Sequence, residues 1–253
     1  MAWTKLKTTV VVGVGLLLAT GTTTITVNEI EAHRTYPWQI RPADGNELDH
    51  LPPEVRIVRA KESEFGQCQR YGKTLALGAP IRYVVAAAYD ASPAHIVFPG
   101  GMPAGRYDFV ASLPKGNEEA LQKEVRKKFG LVGKVEVRTT DALLLRVRNS
   151  ARLQTHVFNG HGDFDGPGGL QYGCSPLSAI GGGLEFIFEK PIVDETGLSG
   201  DYSLRFLANE KVWSSMESRI ESVRQTLEDE LEQDGLELVP TNMPLEMLVV
   251  KKG

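Results

Sequence analysis

The chain reads as an α+β protein: two tandem pseudo-symmetric repeats, each packing helices on a small mixed sheet, after an N-terminal transmembrane helix. Three observations carry that expectation. A run near the N-terminus holds no charge. Amphipathic helical stripes alternate with short apolar runs of strand character. One order of elements also occurs twice, closing each time with a helix, Gly-Leu and a strongly apolar strand.

Residues 1–27 are expected to form a signal-anchor segment. Lys5 and Lys7 precede the uncharged stretch TTVVVGVGLLLATGTTTITV, residues 8–27. At a rise of about 1.5 Å per residue, a stretch of that length matches a hydrocarbon core of about 30 Å. Its threonine hydroxyls bond back to helical carbonyls and are tolerated in lipid. An uncleaved anchor uses the whole run. A cleaved signal peptide would use only the denser centre, Val10 to Ala19, and no A-x-A site follows it. The anchor is the favoured reading. Lysines before the run, with Glu29 and Glu31 after it, put the N-terminus in the cytoplasm. The expected location is thus the inner membrane, single-pass, with the C-terminal region periplasmic.

Residues 28–53 read as a tether, since Tyr36-Pro37-Trp38, Asp44-Gly45-Asn46 and Pro52-Pro53 interrupt any periodicity. Repeat 1 is assigned to residues 54–150, opening with a short strand from Val55 to Arg59. Ile81, Val84, Val85, Ala88 and Tyr89 then make one helical stripe behind Pro80, and His95 to Phe98 reads as a strand. A strand from Tyr107 to Ala111 leads to a second helix, with Leu121, Val125 and Phe129 on one face. Asn117 is its expected N-cap, Glu118 and Glu119 lie in its first turn, Lys127 and Lys128 in its last, and Gly130 at its C′ position. Two strands should follow, the last from Leu143 to Val147.

Repeat 2, residues 151–253, has corresponding parts. Pro176 to Phe188 is the first helix, weakened by Gly181-Gly182-Gly183, and Lys190 to Val193 the next strand. Tyr202 to Phe206 is a strand, and Trp213, Met216, Ile220, Val223, Leu227 and Leu231 mark a helix ended by Gly235. Two strands again close the unit, the last from Leu245 to Val250.

Three segments carry a resemblance: YVVAAAYDASPAHIVFPGGMPAGRYDFVA, KPIVDETGLSGDYSL and DGLELVPTNMPLEMLVVKKG. Over roughly residues 54–253 the chain resembles an uncharacterised, soil-associated family of bacterial proteins labelled a domain of unknown function. The glycine run at 181–183 departs from that pattern. The resemblance implies an envelope-exposed protein and brings no catalytic residues with it. The repeat unit also looks like the short N-terminal modules of secretins and TonB-dependent receptors, which points to protein partners in the periplasm.

Composition narrows the chemistry. A formal net charge of −4 argues against a nucleic-acid partner. Two cysteines are too few for a disulfide scaffold or a cysteine-rich zinc site. Across the expected periplasmic repeats Cys68 and Cys174 hold matching places, each before a first helix, and a bridge between them is one expectation; two unpaired thiols is the other. Asp194-Glu195-Thr196-Gly197 resembles an Asp-Thr-Gly loop, but one residue intervenes and repeat 1 has no matching aspartate, so a turn explains it better. His156, His161, Asp163 and Asp165 cluster in HVFNGHGDFDGPGG without regular ligand spacing. G-x-S-x-G, P-loop, H-E-x-x-H and S-x-x-K motifs are missing from the sequence.

No catalytic, cofactor-binding or metal-binding residue and no cofactor is therefore assigned from sequence. The expected function is that of a non-enzymatic envelope module binding a protein, peptide or glycan, held at the inner membrane through residues 8–27. The alternative is an envelope hydrolase with a site near residues 156–165.

Overall fold

The computed structural model describes residues 34–40, 43–61, 65–153, 164–166, 169–199, 201–207 and 216–253; for 164–166, 169–180, 201–207 and 216–222 it describes backbone alone. The expected anchor, residues 1–27, lies outside the described residues. Among those described, no helix is long and apolar enough to cross a membrane.

In chain order the elements are α1 (Gly45–His50), β1 (Val55–Arg59), β2 (Gly66–Arg70), β3 (Lys73–Pro80), α2 (Ile81–Tyr89), β4 (Ile96–Val97), β5 (Arg106–Ala111), α3 (Asn117–Phe129), β6 (Leu131–Val147), β7 (Phe164–Gly166), β8 (Gly169–Pro176), α4 (Leu177–Phe188), β9 (Ile192–Asp194), β10 (Asp201–Leu207), α5 (Met216–Gln233) and β11 (Leu236–Lys252). The fold is α+β. From β2 to β6, and again from β7 to β11, the chain runs hairpin, helix, short strand, strand, helix, long strand.

The described residues gather into two compact units that do not divide at residue 150. One takes the chain up to Ile81 together with Ala104–Glu124, and the other takes Arg82–Pro103 with Val125–Gly253. The chain therefore passes between units more than once.

The first unit holds an antiparallel sheet in the order β1-β5-β3-β2. β2 and β3 are joined through Tyr71 and Gly72, with φ of 51° and 71°. Positive φ at both positions matches a type I′ turn, whose twist suits paired strands. Part of the expected tether belongs to this unit's core: Tyr36, Trp38 and Leu48 pack with Leu75 and Val110. Asp44 caps α1 by accepting from Asn46 N at 2.7 Å and Glu47 N at 3.0 Å. Asn117 starts α3 but is not its cap. Its Oδ1 accepts from Leu113 N at 2.8 Å, and its Nδ2 donates to the carbonyls of Leu113 and Gly72, each at 2.9 Å.

Cys68 is a free thiol, so the bridge to Cys174 is not formed. Cys68 packs against the Tyr36–Trp38–Leu48 cluster from β2, opposite Leu75. Burial pushes its pKa up, the carboxylates of Asp44 and Asp49 add to that, and Arg70 opposes them. The side chain of Cys174 lies outside the described residues.

The second unit holds a three-stranded sheet, β10-β8-β7, and a mixed sheet ordered β4-β11-β6-β9. Leu143, Leu145 and Leu236 from the mixed sheet pack with Leu184 and Ile187 of α4 and with Val223, Leu227 and Leu231 of α5. The glycine run at 181–183 lies inside α4, which continues through it. Where two strands were expected after each helix there is one. β6 and β11 pair antiparallel over their whole lengths, from Leu131↔Lys252 to Val147↔Leu236. Local turn chemistry at Thr139-Thr140-Asp141 and at Pro240 and Pro244 yields to this ladder. Each long strand also takes a parallel neighbour from far along the chain: Leu248↔Ile96 for β11, and Leu143↔Ile192 for β6.

Candidate functional site

The most distinctive surface is the outer edge of β6. Alternate residues of a strand turn their N–H and C=O to the same side. Leu143 N donates outward to Pro191 O at 2.9 Å, Leu145 O accepts from Glu195 N at 3.0 Å, and Gly133 N donates to the Tyr89 hydroxyl at 2.8 Å. The odd-numbered residues between them, Val135, Val137, Thr139 and Asp141, therefore aim their backbone groups outward too. Among the described residues no strand pairs with that edge, since β9 reaches only Leu143–Leu145. Val135 is 59% and Val137 68% exposed, uncommon for two β-branched apolar residues on one strand.

The edge of β11 is built differently. The same parity turns the even residues of β11 outward, and Pro240 and Pro244 stand at two of these positions, opposite Leu143 and Thr139. A proline has no N–H, and there it costs the β6 ladder nothing while blunting the edge against further strands. One side of the ribbon is closed by prolines and the other is open.

The even residues of β6 bring alternating charge beside this edge: Lys134, Glu136 and Arg138. Glu136 pairs with Arg138 at 2.9 Å and Lys251 at 3.2 Å, and these hydrogen bonds hold its carboxyl below the usual carboxylate range.

A second cluster lies within the same unit. Glu185, 8% exposed, is the only acidic residue of the apolar helix α4. Its carboxylate accepts from Ser92 Oγ at 2.5 Å, His95 Nε2 at 2.8 Å and Ile192 N at 3.0 Å. Arg82 Nη1 holds the segment that presents His95 by donating to Pro93 O at 2.7 Å and Ile96 O at 3.0 Å. His95 Nδ1 lies 3.3 Å from the Glu246 carbonyl, so both ring nitrogens face acceptors and the doubly protonated ring satisfies both. The hydrogen bond to Glu185 raises the His95 pKa against the opposing effect of burial. Burial pushes Glu185 up, but the bonds from His95, Ser92 and Ile192 outweigh it and the net shift is down. Ser, His and Glu side chains are together here, yet in the wrong order for nucleophilic catalysis. Ser92 donates to the carboxylate rather than to the imidazole, so nothing takes its proton. The arrangement is a partly buried, hydrogen-bonded carboxylate–imidazole pair joining the residue 92–95 segment to α4.

The residues weighed from sequence fare as follows. Asp194 Oδ1 accepts from Thr196 N at 2.9 Å and Thr196 Oγ1 at 2.6 Å, and Gly197 has φ of 64°, so the segment is a turn. His156, His161 and Asp163 lie outside the described residues, and Asp165 is described only as backbone within β7. Among the described residues there is no group of three or more His, Cys, Asp or Glu side chains fit to hold a metal ion. Sequence reasoning passed over Glu185, although one carboxylate in an apolar helix is a usable signal. It also passed over the open edge, whose signal was the period-two spacing of Val135 and Val137.

No curated protein and no solved structure matches the chain. A family described as "Protein of unknown function (DUF3738)" matches residues 82–252. That match covers more than half of the chain, and the chain therefore belongs to this family.

Proposed function

We propose that the chain is a non-enzymatic interaction module that takes up an extended polypeptide segment along the open edge of β6. The observation that carries this reading is the contrast between edges. Val135, Val137, Thr139 and Asp141 offer outward backbone groups, while the opposite edge has Pro240 and Pro244 at its outward positions. Main-chain bonds of an added strand supply affinity, and the alternate side chains supply selectivity. The module is held at the inner membrane by residues 8–27, with its folded part in the periplasm. The charge-free run and the lysines that precede it favour this placement.

The module is also read as an internal duplication. In support, Thr139 and Pro244 hold the same ordinal place in β6 and β11 and pair with each other. A local two-fold axis between them would relate Leu248↔Ile96 to Leu143↔Ile192, and Val249↔Val97 to Leu144↔Val193.

Photo-crosslinking tests the edge. A photoreactive residue at Val137 of the full chain in its native membrane should trap a polypeptide, and one at Asn242 on the proline-blunted edge should not. Equal trapping at both sites, or none at Val137, would remove the reading.

A further inference from the structure

We propose that the strand received by this edge is the same edge of a second copy of the chain, paired antiparallel about Val137. The inference rests on the reading of β6 as a strand-accepting edge and names its occupant.

Hydrogen-bond parity and charge select this pairing. With Val137 opposite Val137 of the other copy, Val135 faces Thr139 and Thr139 faces Val135. All are outward-facing residues, so each pair exchanges two backbone bonds. The even residues then form the closer, non-hydrogen-bonded pairs, where side chains interact most strongly. There Glu136 of each copy meets Arg138 of the other. Each guanidinium would lie between its own Glu136, at 2.9 Å in the single chain, and the Glu136 opposite. Two exposed valines, Val137 and its counterpart, would cover one another at the axis.

Neighbouring registers do worse. Centring on Val135 would set Lys134 against Glu136, but two of its three central pairs need Gly133, whose N–H is already given to the Tyr89 hydroxyl. Centring on Thr139 sets Val137 against Asp141 and leaves no opposite charges facing. A two-fold axis repeats each good contact, and it closes the pairing at two copies because it uses up the open edge of β6 in both. The blunted edge of β11 then keeps the pair from growing into a longer sheet. A contact of about five residues on each side is smaller than a standard interface, so the association is weak and suited to chains confined to one membrane.

The test uses the full chain in native membranes. Val137→Cys with a short bis-maleimide should give a covalent dimer, and Asn242→Cys should not. In the Val137→Cys background, Glu136→Arg alone or Arg138→Glu alone should cut dimer yield several-fold, by placing like charges opposite each other. The double swap Glu136→Arg/Arg138→Glu should restore it. Val137→Pro, read by sedimentation of the purified full chain in detergent, should abolish dimerisation at an unchanged melting temperature, because the N–H it removes points away from β11. No dimer at Val137→Cys above the Asn242→Cys level, or no rescue by the double swap, overturns the inference. If the photoreactive residue at Val137 then traps a different polypeptide, the strand-accepting edge stands and self-pairing falls. If it traps nothing, both fall.

Discussion

Gly130 and Gly235 end their helices in the same way and should still respond very differently to substitution. Both are left-handed, with φ of 64° and 81°. Any β-carbon there costs about 1–2 kcal/mol. The surroundings add nothing at Gly130, where a new Cβ would find only Lys252 Cδ at 3.8 Å. At Gly235 it would land 2.2 Å from the Asn149 carbonyl oxygen and 3.1 Å from Arg152 Cβ. That oxygen is not free to move. Asn149 N and Arg148 N both donate to Gly235 O, at 3.0 and 2.8 Å, and the Asn149 carbonyl accepts from Arg152 N at 3.1 Å. Relief needs a shift of about 1 Å in the turn and the loss of one or two hydrogen bonds, each worth about 1 kcal/mol. Gly130→Ala should therefore cost about 1–2 kcal/mol and Gly235→Ala about 2–4 kcal/mol. Both residues lie in the same unit, so their melts report on one body. At about 2–4 °C per kcal/mol, the extra cost of about 1–2 kcal/mol should separate the two variants by about 2–8 °C in melting temperature. Asparagine tolerates the left-handed region, so Gly130→Asn should recover part of the loss while Gly235→Asn should not, its obstacle being steric. Equal losses in the two alanine variants, followed by circular dichroism on heating, would refute the argument.

Further outcomes follow from other sites. His95 holds its proton better in the folded chain, so its contribution is complete below its ordinary pKa of 6.5 and fades as pH rises through the raised value. Glu185 holds its charge better when folded, so its contribution is complete above 4.5 and fades as pH falls through the lowered value. Stability from the pair should peak between these limits, and His95→Gln should flatten the alkaline side of a melting-temperature profile; an unchanged slope would count against the ion pair. Unfolded without reductant, the chain should take up iodoacetamide at Cys68, and a disulfide-linked Cys68 peptide in the mass spectrum would contradict the free thiol. Tyr71→Asn should raise stability by about 0.5–1 kcal/mol in urea titration, because asparagine suits the positive φ of the type I′ turn. A reporter fused after Gly253 should be active only outside the cytoplasm, and cytoplasmic activity would reject the orientation.

Local features were legible in the sequence wherever one segment carried its own signal. Ile81, Val84, Val85 and Ala88 announced α2 by spacing and are all buried. Val55–Arg59 was readable as a strand, and Gly130 and Gly235 as helix exits. Where the reading failed, the missing information lay far along the chain. Tyr36, Trp38 and Leu48 looked like parts of a tether because their partners, Leu75 and Val110, are distant in sequence. The candidate edge was hidden for a related reason: an edge is defined by the neighbour that stops pairing, here β9 beyond Leu143–Leu145.

Sequence by itself determined the α+β class, the helix stripes and their glycine stops, because propensity, periodicity and chirality act over a few residues. Only the tertiary structure decided that β6 and β11 each run unbroken and take short parallel neighbours from distant segments. It also decided which backbone groups of β6 stay outward and that Glu185 is buried against His95. Backbone groups taken from water must find partners, and which partner each finds depends on every other strand in the sheet. The ladder from Leu131 to Val147 supplies those partners for both chain segments at once, and it overrides the turn preferences of Thr139, Asp141, Pro240 and Pro244.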